Sequence, residues 1–211
     1  MMGQHSPANC CCGSTPCEDC CNGNAPTEYD ATITMADDAC DTCDSFVSGT
    51  YTLALDGVCI WRYVDADISG QACVTGDPEG DDYITEVAVT LQISCVSDTE
   101  YRVTLQVSVV REYTDGSEVQ YGFPLQTRNF FGVDVYKYQT TVAVDDFTCN
   151  AVTDYELPLV SKTATRTFEY WNFVSWTLVG LNPTADATTW LGWDIDYHCN
   201  PASTATITAV P

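Results

Sequence analysis

From Glu28 onward, apolar and polar residues alternate with a period of two, in short runs set off by turn residues. This is the pattern of strands that bury one face. The first run is EYDATITM, Glu28–Met35. Residues 47–55 (VSGTYTLAL) and 58–64 (VCIWRYV) flank Asp56-Gly57, a pair that readily takes the positive φ angles of a type I′ turn, and so predict a hairpin. Residues 83–95 and 101–113 surround a polar turn at 97–100, and Asp115-Gly116 introduces 118–122; together these predict a three-stranded meander. Further strands are expected at 134–144, 156–160, 166–178, 190–197 and 202–210, with surface loops at 65–82, 123–133 and 180–189.

So many strands create many edges, and packing two sheets face to face is a common way to manage them. The expected fold is therefore all-β, an antiparallel two-sheet sandwich of jelly-roll or Ig-like type over residues 28–211. Residues 1–27 differ in kind, being small, polar and rich in Cys, Gly, Pro and Asn, without a hydrophobic period. Such a segment cannot fold by burial and needs staples, which Cys10, Cys11, Cys12, Cys17, Cys20 and Cys21 can supply. It reads as a Cys-rich N-terminal arm.

Composition supports this reading. Hydrophobic residues make up 45% of the 211, and the long runs are dominated by Val, Thr, Tyr, Trp and Ile, which suit pleated surfaces. Charge narrows the partners. Thirty acidic residues against seven Lys and Arg give a formal net charge of -23, which repels phosphate backbones and anionic headgroups, so neither nucleic acid nor membrane is expected as a partner.

Thirteen cysteines point to oxidising surroundings. The opening MMGQHSPANCCC has no basic stretch followed by an apolar one, and no later run is long enough to span a bilayer. Either the thiols hold metal inside a cell, or the protein meets an oxidant without secretion, as a virion component does when its host lyses. An odd count leaves at least one thiol free, on a metal, or bonded to another chain.

Cys17-x2-Cys20 and Cys40-x2-Cys43 have the spacing of a four-thiolate zinc site, each knuckle offering two sulfurs from one tight turn. The same four sulfurs can instead pair as two disulfides: the spacing, the missing signal peptide and the polar linkers around each knuckle favour zinc, and the surplus of neighbouring cysteines favours disulfides. The role is structural in both cases, because four thiolates fill the coordination sphere and leave no position for water. Cys59, Cys73, Cys95, Cys149 and Cys199 are scattered through the β region, either as clasps at strand ends, with Cys59 and Cys73 able to close a loop, or as small buried hydrophobes.

The loop Asp77-Pro-Glu79-Gly-Asp81-Asp82 could offer oxygens to calcium but lacks the EF-hand Gly and Glu, so a solvated acidic loop is the expectation. Tyr170, Trp171, Phe173 and Trp176, then Trp190, Trp193 and Tyr197, are dense enough for a sugar-stacking platform, although alternation explains them more simply as packing residues. His5 and His198 are the only histidines and give no frame for a triad; there is no Gly-rich phosphate loop. Paired carboxylates, all that a glycosidase needs, are not excluded by inventory.

The order of features in the first third resembles a group of uncharacterised Cys-rich β proteins of tailed bacteriophages and planctomycete-type bacteria. The matching residues are Cys17 and Cys20, the strand Thr32 to Met35, Cys40 and Cys43, Gly49-Thr50-Tyr51, and Cys59 with Trp61; the ending CNPASTATITAVP resembles that group's terminal strand. The resemblance covers about a third of the chain. It implies a β-rich virion or surface protein without known catalysis. The expected function is a non-enzymatic structural protein of a virion, contacting other virion subunits and forming a homo-oligomer, synthesised in the cytoplasm and extracellular after lysis. The alternative is a surface adhesion or carbohydrate-binding module that meets host-surface glycan through Trp171, Trp190 and Trp193.

Overall fold

The computed structural model describes residues 25–35, 47–65, 71–74, 82–97, 99–112, 119–121, 125–144, 146–171, 174–181 and 203–211. They form eleven strands: β1 (Glu28–Met35), β2 (Gly49–Gly57), β3 (Ile60–Asp65), β4 (Gln71–Val74), β5 (Asp82–Ser97), β6 (Glu100–Glu112), β7 (Val119–Tyr121), β8 (Leu125–Ala143), β9 (Tyr155–Trp171), β10 (Trp176–Leu181) and β11 (Ser203–Ala209).

Eight of them close into one antiparallel barrel, β1-β2-β3-β5-β6-β8-β9-β11, with β11 returning to β1 from Tyr29↔Ala209 to Met35↔Ser203. This overturns the two-sheet sandwich. Alternation says only that each strand buries one face, and it reads the same whether that face meets a second sheet or a central axis. What selects the barrel is long-range pairing. β9 gives its first residues to β11, Tyr155↔Ile207 to Pro158↔Thr204, and then runs along β8 from Leu159↔Tyr138 to Tyr170↔Thr127. A register shift between Lys137 and Tyr138 marks the change of partner, and such irregularities are where barrels bend. β4, β7 and β10 are additions, pairing with β5, β8 and β9 respectively.

The inward face carries the core. On β1 it presents Tyr29, Ala31, Ile33 and Met35; on β5, Val87, Val89, Leu91 and Ile93; on β6, Tyr101, Val103, Leu105, Val107 and Val109. Trp61, Leu53, Tyr136, Tyr138 and Leu157 complete the filling. An eight-strand barrel is just wide enough for side chains to occupy its axis. The outward positions of β1 and β11 hold Asp30, Thr32, Thr34, Thr204, Thr206 and Thr208, all half-buried or exposed. Thr32 and Thr50 share a hydroxyl hydrogen bond of 2.9 Å across β1 and β2, and Thr52 donates to Asp30 at 2.7 Å.

Several local expectations shift. The β2–β3 hairpin forms, but its turn is Val58-Cys59 rather than Asp56-Gly57, because a register irregularity between Leu55 and Gly57 carries the strand two residues further. Cys59 accordingly takes a left-handed φ of 59°, which costs an L residue about 1 kcal/mol. The β5–β6 turn falls where the polar residues place it. The third strand of that meander is β8 rather than residues 118–122, which only extend β8 as β7. β8 begins at Leu125, inside an expected loop, and one continuous β9 covers the gap expected at residues 161–165. The expected strand at 190–197 lies outside the described residues, as does most of the arm.

Candidate functional site at the cysteine-bearing end

The barrel has two ends. The proximal one gathers the starts of β1, β3, β6 and β9 and the ends of β2, β5, β8 and β11. There the chain arrives from the arm, and Trp61 holds it: the indole Nε1 donates to the Pro26 carbonyl at 2.8 Å, while the Leu55 amide donates to the Thr27 carbonyl at 2.9 Å. Trp61 is fully buried, its ring meeting Tyr29 edge-on at 4.8 Å and 88°. The Tyr29 hydroxyl crosses the mouth to donate to the Cys149 carbonyl at 2.5 Å.

The β8–β9 connection lies over this mouth. Phe147 is buried between Tyr101 and Tyr155, with ring centroids 6.3 Å and 5.2 Å away in edge-on geometry. Backbone bonds from the Ala209 amide to the Ala151 carbonyl (3.2 Å) and from the Val144 amide to the Thr99 carbonyl (3.0 Å) fasten it on both sides. A cleft of about 180 Å³ remains, lined by Tyr29, Asp146, Phe147, Thr148, Tyr155 and Ile207 among others. Ligand pockets for drug-sized molecules run to about 300–1,000 Å³, so this one suits an ion or a few waters at most. Burial raises the Tyr29 phenol far above its ordinary value, and burial, then the Asp146 charge, raises that of Tyr155. Both stay neutral donors and neither acts as a base near neutral pH.

Three cysteines stand at this end: Cys59 in the β2–β3 turn, Cys95 near the end of β5, and Cys149 in the β8–β9 connection. Each is disulfide-bonded. Cys59 and Cys149 are buried, and the Cys59 carbonyl accepts from the Ile93 amide at 3.1 Å. Cys95 and Cys149 are thus bonded where strand-end clasps were expected, and Cys59, expected within a strand, is bonded from the β2–β3 turn. A Cys59–Cys73 bridge does not fit. Cys73 sits on β4 beside Tyr83 and Asp82, about 40 Å along β5 from the proximal end at 3.4 Å per residue, and a disulfide spans at most about 7 Å between Cα atoms.

The distal end is more polar. Tyr138 and Ser203 share a hydroxyl bond of 2.7 Å, Ser203 donates to the Thr34 carbonyl at 3.0 Å, and Tyr63 donates to Asp65 at 3.1 Å. In the barrel interior, Asp134 is 1% exposed, and Lys162, opposite Tyr136 in register, places its Nζ 5.4 Å from that ring's centroid. Sequence reasoning missed the buried Asp134. The signal was in the phase of DVYKY: whichever face took Tyr136 and Tyr138 inward had to take Asp134 with them.

The proposed zinc ligands Cys17, Cys20, Cys40 and Cys43 lie outside the described residues, as do His5, His198, Trp190, Trp193 and the side chain of Trp171. Among the described residues no group of three or more His, Cys, Asp or Glu is placed to hold a metal ion. The frame around the knuckles is nevertheless fixed. β1 lies between them, about 24 Å for its seven steps, so in sequence Cys17 and Cys20 precede its proximal end, and Cys40 and Cys43 follow its distal end. Comparison with known proteins returns no matching family model, no matching curated protein and no matching solved structure.

Proposed function

We propose that the chain is a non-enzymatic structural protein of a bacteriophage virion, a tail, fibre, baseplate or capsid-decorating subunit built on a rigid barrel. The observation that carries this reading is the filled interior. Trp61, Tyr29, Tyr136, Tyr138 and Leu105 are fully buried along the axis, where barrels of this width otherwise hold one small ligand. A barrel packed in this way is a scaffold, and it leaves recognition to its rims and loops.

Two further features support it. Disulfides at the proximal end suit a protein that works in oxidising surroundings. The outer face carries Thr, Asp, Gln and Arg while the inner face is apolar, the reverse of a barrel that meets lipid. The particle itself is suggested by the resemblance at Cys17 through Trp61. Mass spectrometry of purified particles from a phage carrying this gene should find the protein at stoichiometric copy number; recovery only from the soluble lysate overturns the reading. Zinc on Cys17, Cys20, Cys40 and Cys43 remains compatible with this role if the two knuckles meet across the length of β1. Metal analysis together with thiol counting on the native protein decides it, one bound zinc with four protected thiolates being the positive result.

A further inference from the structure

The cleft at the proximal end is walled mainly by rings. Tyr29 from β1, Phe147 from the β8–β9 connection and Tyr155 from β9 give it three aromatic sides, Ile207 from β11 an aliphatic one, and Asp146 a carboxylate. Phe147 and Tyr155 stand nearly perpendicular, with ring centroids 5.2 Å apart and an interplanar angle of 81°. They make a corner rather than a stack, and a group seated in it meets a ring face. These walls are held from behind. Tyr29 is fixed by its bond to the Cys149 carbonyl and by its edge-on contact with Trp61, Phe147 also meets Tyr101, and Tyr155 pairs with Ile207 across β9 and β11. A site built this way needs little further ordering to accept a ligand.

Charge, donor set and size narrow the occupant. Among the described residues that line the cleft, Asp146 is the charged one, and its influence on the Tyr155 phenol, second to that of burial, shows that the carboxylate acts on the space beside that ring. An anion is repelled there, and the formal net charge of -23 adds to the repulsion. A hard metal ion such as calcium takes about six to eight oxygen ligands, more than one carboxylate and the hydroxyls of Thr148 and Thr153 can give. Aromatic faces carry the negative side of the ring quadrupole and attract cations, and quaternary or methylated ammonium groups are the ligands that cages of such rings recognise. The volume agrees. A cleft of about 180 Å³ equals the share of about six liquid waters, which admits one such headgroup and excludes a drug-sized molecule.

We propose that this cleft binds an alkylammonium group, seated against Tyr29, Phe147 and Tyr155 with its charge toward Asp146. The recognised chemistry is the methylated ammonium itself, whether carried by a free small molecule of the choline type or by a methylated lysine side chain of a partner protein. Binding is non-covalent and reversible. The site goes beyond the virion role and does not depend on it: a barrel with a filled axis can present a site only at its mouths and outer faces, and this one lies at the proximal mouth, where the rings that close the core also line the cleft.

Magnetic resonance of the full chain with labelled isoleucine methyl groups tests this, because Ile207 lines the cleft. Titration with tetramethylammonium chloride or choline chloride should shift the Ile207 methyl signals to saturation, while sodium chloride at matched ionic strength leaves them in place. The uncharged isostere of choline, with carbon in place of nitrogen, should bind at least about tenfold more weakly than choline, and Asp146→Asn should weaken both ammonium ligands by about tenfold, the effect of losing one charge-assisted contact. Asp146 is exposed, so this variant keeps the fold. Comparison of choline with a short trimethyllysine peptide then separates the two sources, the tighter ligand identifying a free or a protein-borne ammonium. Shifts that follow ionic strength alone, equal binding of the uncharged isostere, or an Asp146→Asn variant that binds as tightly as the parent overturns the proposal.

Discussion

Trp61 does two jobs that a single substitution can separate. Its ring fills the proximal core and its Nε1 satisfies the Pro26 carbonyl. Trp61→Phe keeps most of the ring and leaves a buried carbonyl without its donor, so urea unfolding should show a loss of about 1–3 kcal/mol, the usual cost of an unsatisfied buried group. Arg62 is the contrasting case. Its ion pair with Asp56, at 3.0 Å, joins side chains that are about half exposed, and Arg62→Ala should move stability by less than about 0.5 kcal/mol. Tyrosines set the alkaline limit. Burial, and then Tyr63 nearby, pushes the Tyr51 phenol from 10.0 up to about 12, and burial raises Tyr29 further. Below pH 10 both are neutral whether the chain is folded or not, and their full contribution is present. Above it the unfolded chain releases the protons first, so stability falls as pH climbs from about 10 toward 12. Tyr51→Phe should flatten that fall, measured as the pH dependence of the urea midpoint. Thiol chemistry was less legible at this scale: spacing located every cysteine but did not distinguish zinc from disulfide, because both need sulfurs brought close together by the fold.

Among the strands, the seam that closes the barrel is a short join between residues far apart in the chain. β5 and β6 pair from Tyr83↔Glu112 to Ser97↔Glu100, and β6 and β8 from Glu100↔Ala143 to Glu112↔Phe131, whereas β9 meets β11 only between Tyr155↔Ile207 and Pro158↔Thr204. Pro158 sits within that short ladder without an N–H to give. Native-state hydrogen exchange should therefore protect the amides of β5 and β6 most and release those of Tyr155 to Leu157 and Ser203 to Ile207 first. Leu157→Ala, at a fully buried seam position, should cost about 2–5 kcal/mol and widen that contrast. Uniform protection around the ring would contradict the seam. This is also where the sequence was hardest to read. β1, β2, β3, β5, β6 and β11 could be read from alternation to within a few residues, because each contrasts an apolar inner face with a Thr-rich or charged outer one. β8 hid behind the polar stretch around Gln126 to Asn129, and its inward Asp134 blurred the phase. The pairing of β11 with both β1 and β9 joins residues far apart in the chain, which local pattern does not encode.

At the scale of the whole molecule, charge opposes a fold that packing holds together. Seven basic residues against thirty acidic ones leave -23 on a chain of 211, and the Arg62–Asp56 ion pair is exposed and weak. Like charges on the outer face of a small barrel repel one another more in the folded state than in an expanded chain, where they sit further apart. Salt should reverse part of this. The screening length falls from about 30 Å at 0.01 M to about 3 Å at 1 M ionic strength, crossing the dimensions of the barrel, so the thermal midpoint by circular dichroism should rise over that range. The form of the rise carries the information. If screening alone acts, sodium chloride and calcium chloride at matched ionic strength give nearly the same curve. If a loop such as Asp77 to Asp82 binds calcium, the midpoint instead rises with sub-stoichiometric to stoichiometric calcium and saturates, because binding to the folded state adds stability by mass action. The spacing of that loop fails the EF-hand pattern, and the matched curves are the expected result.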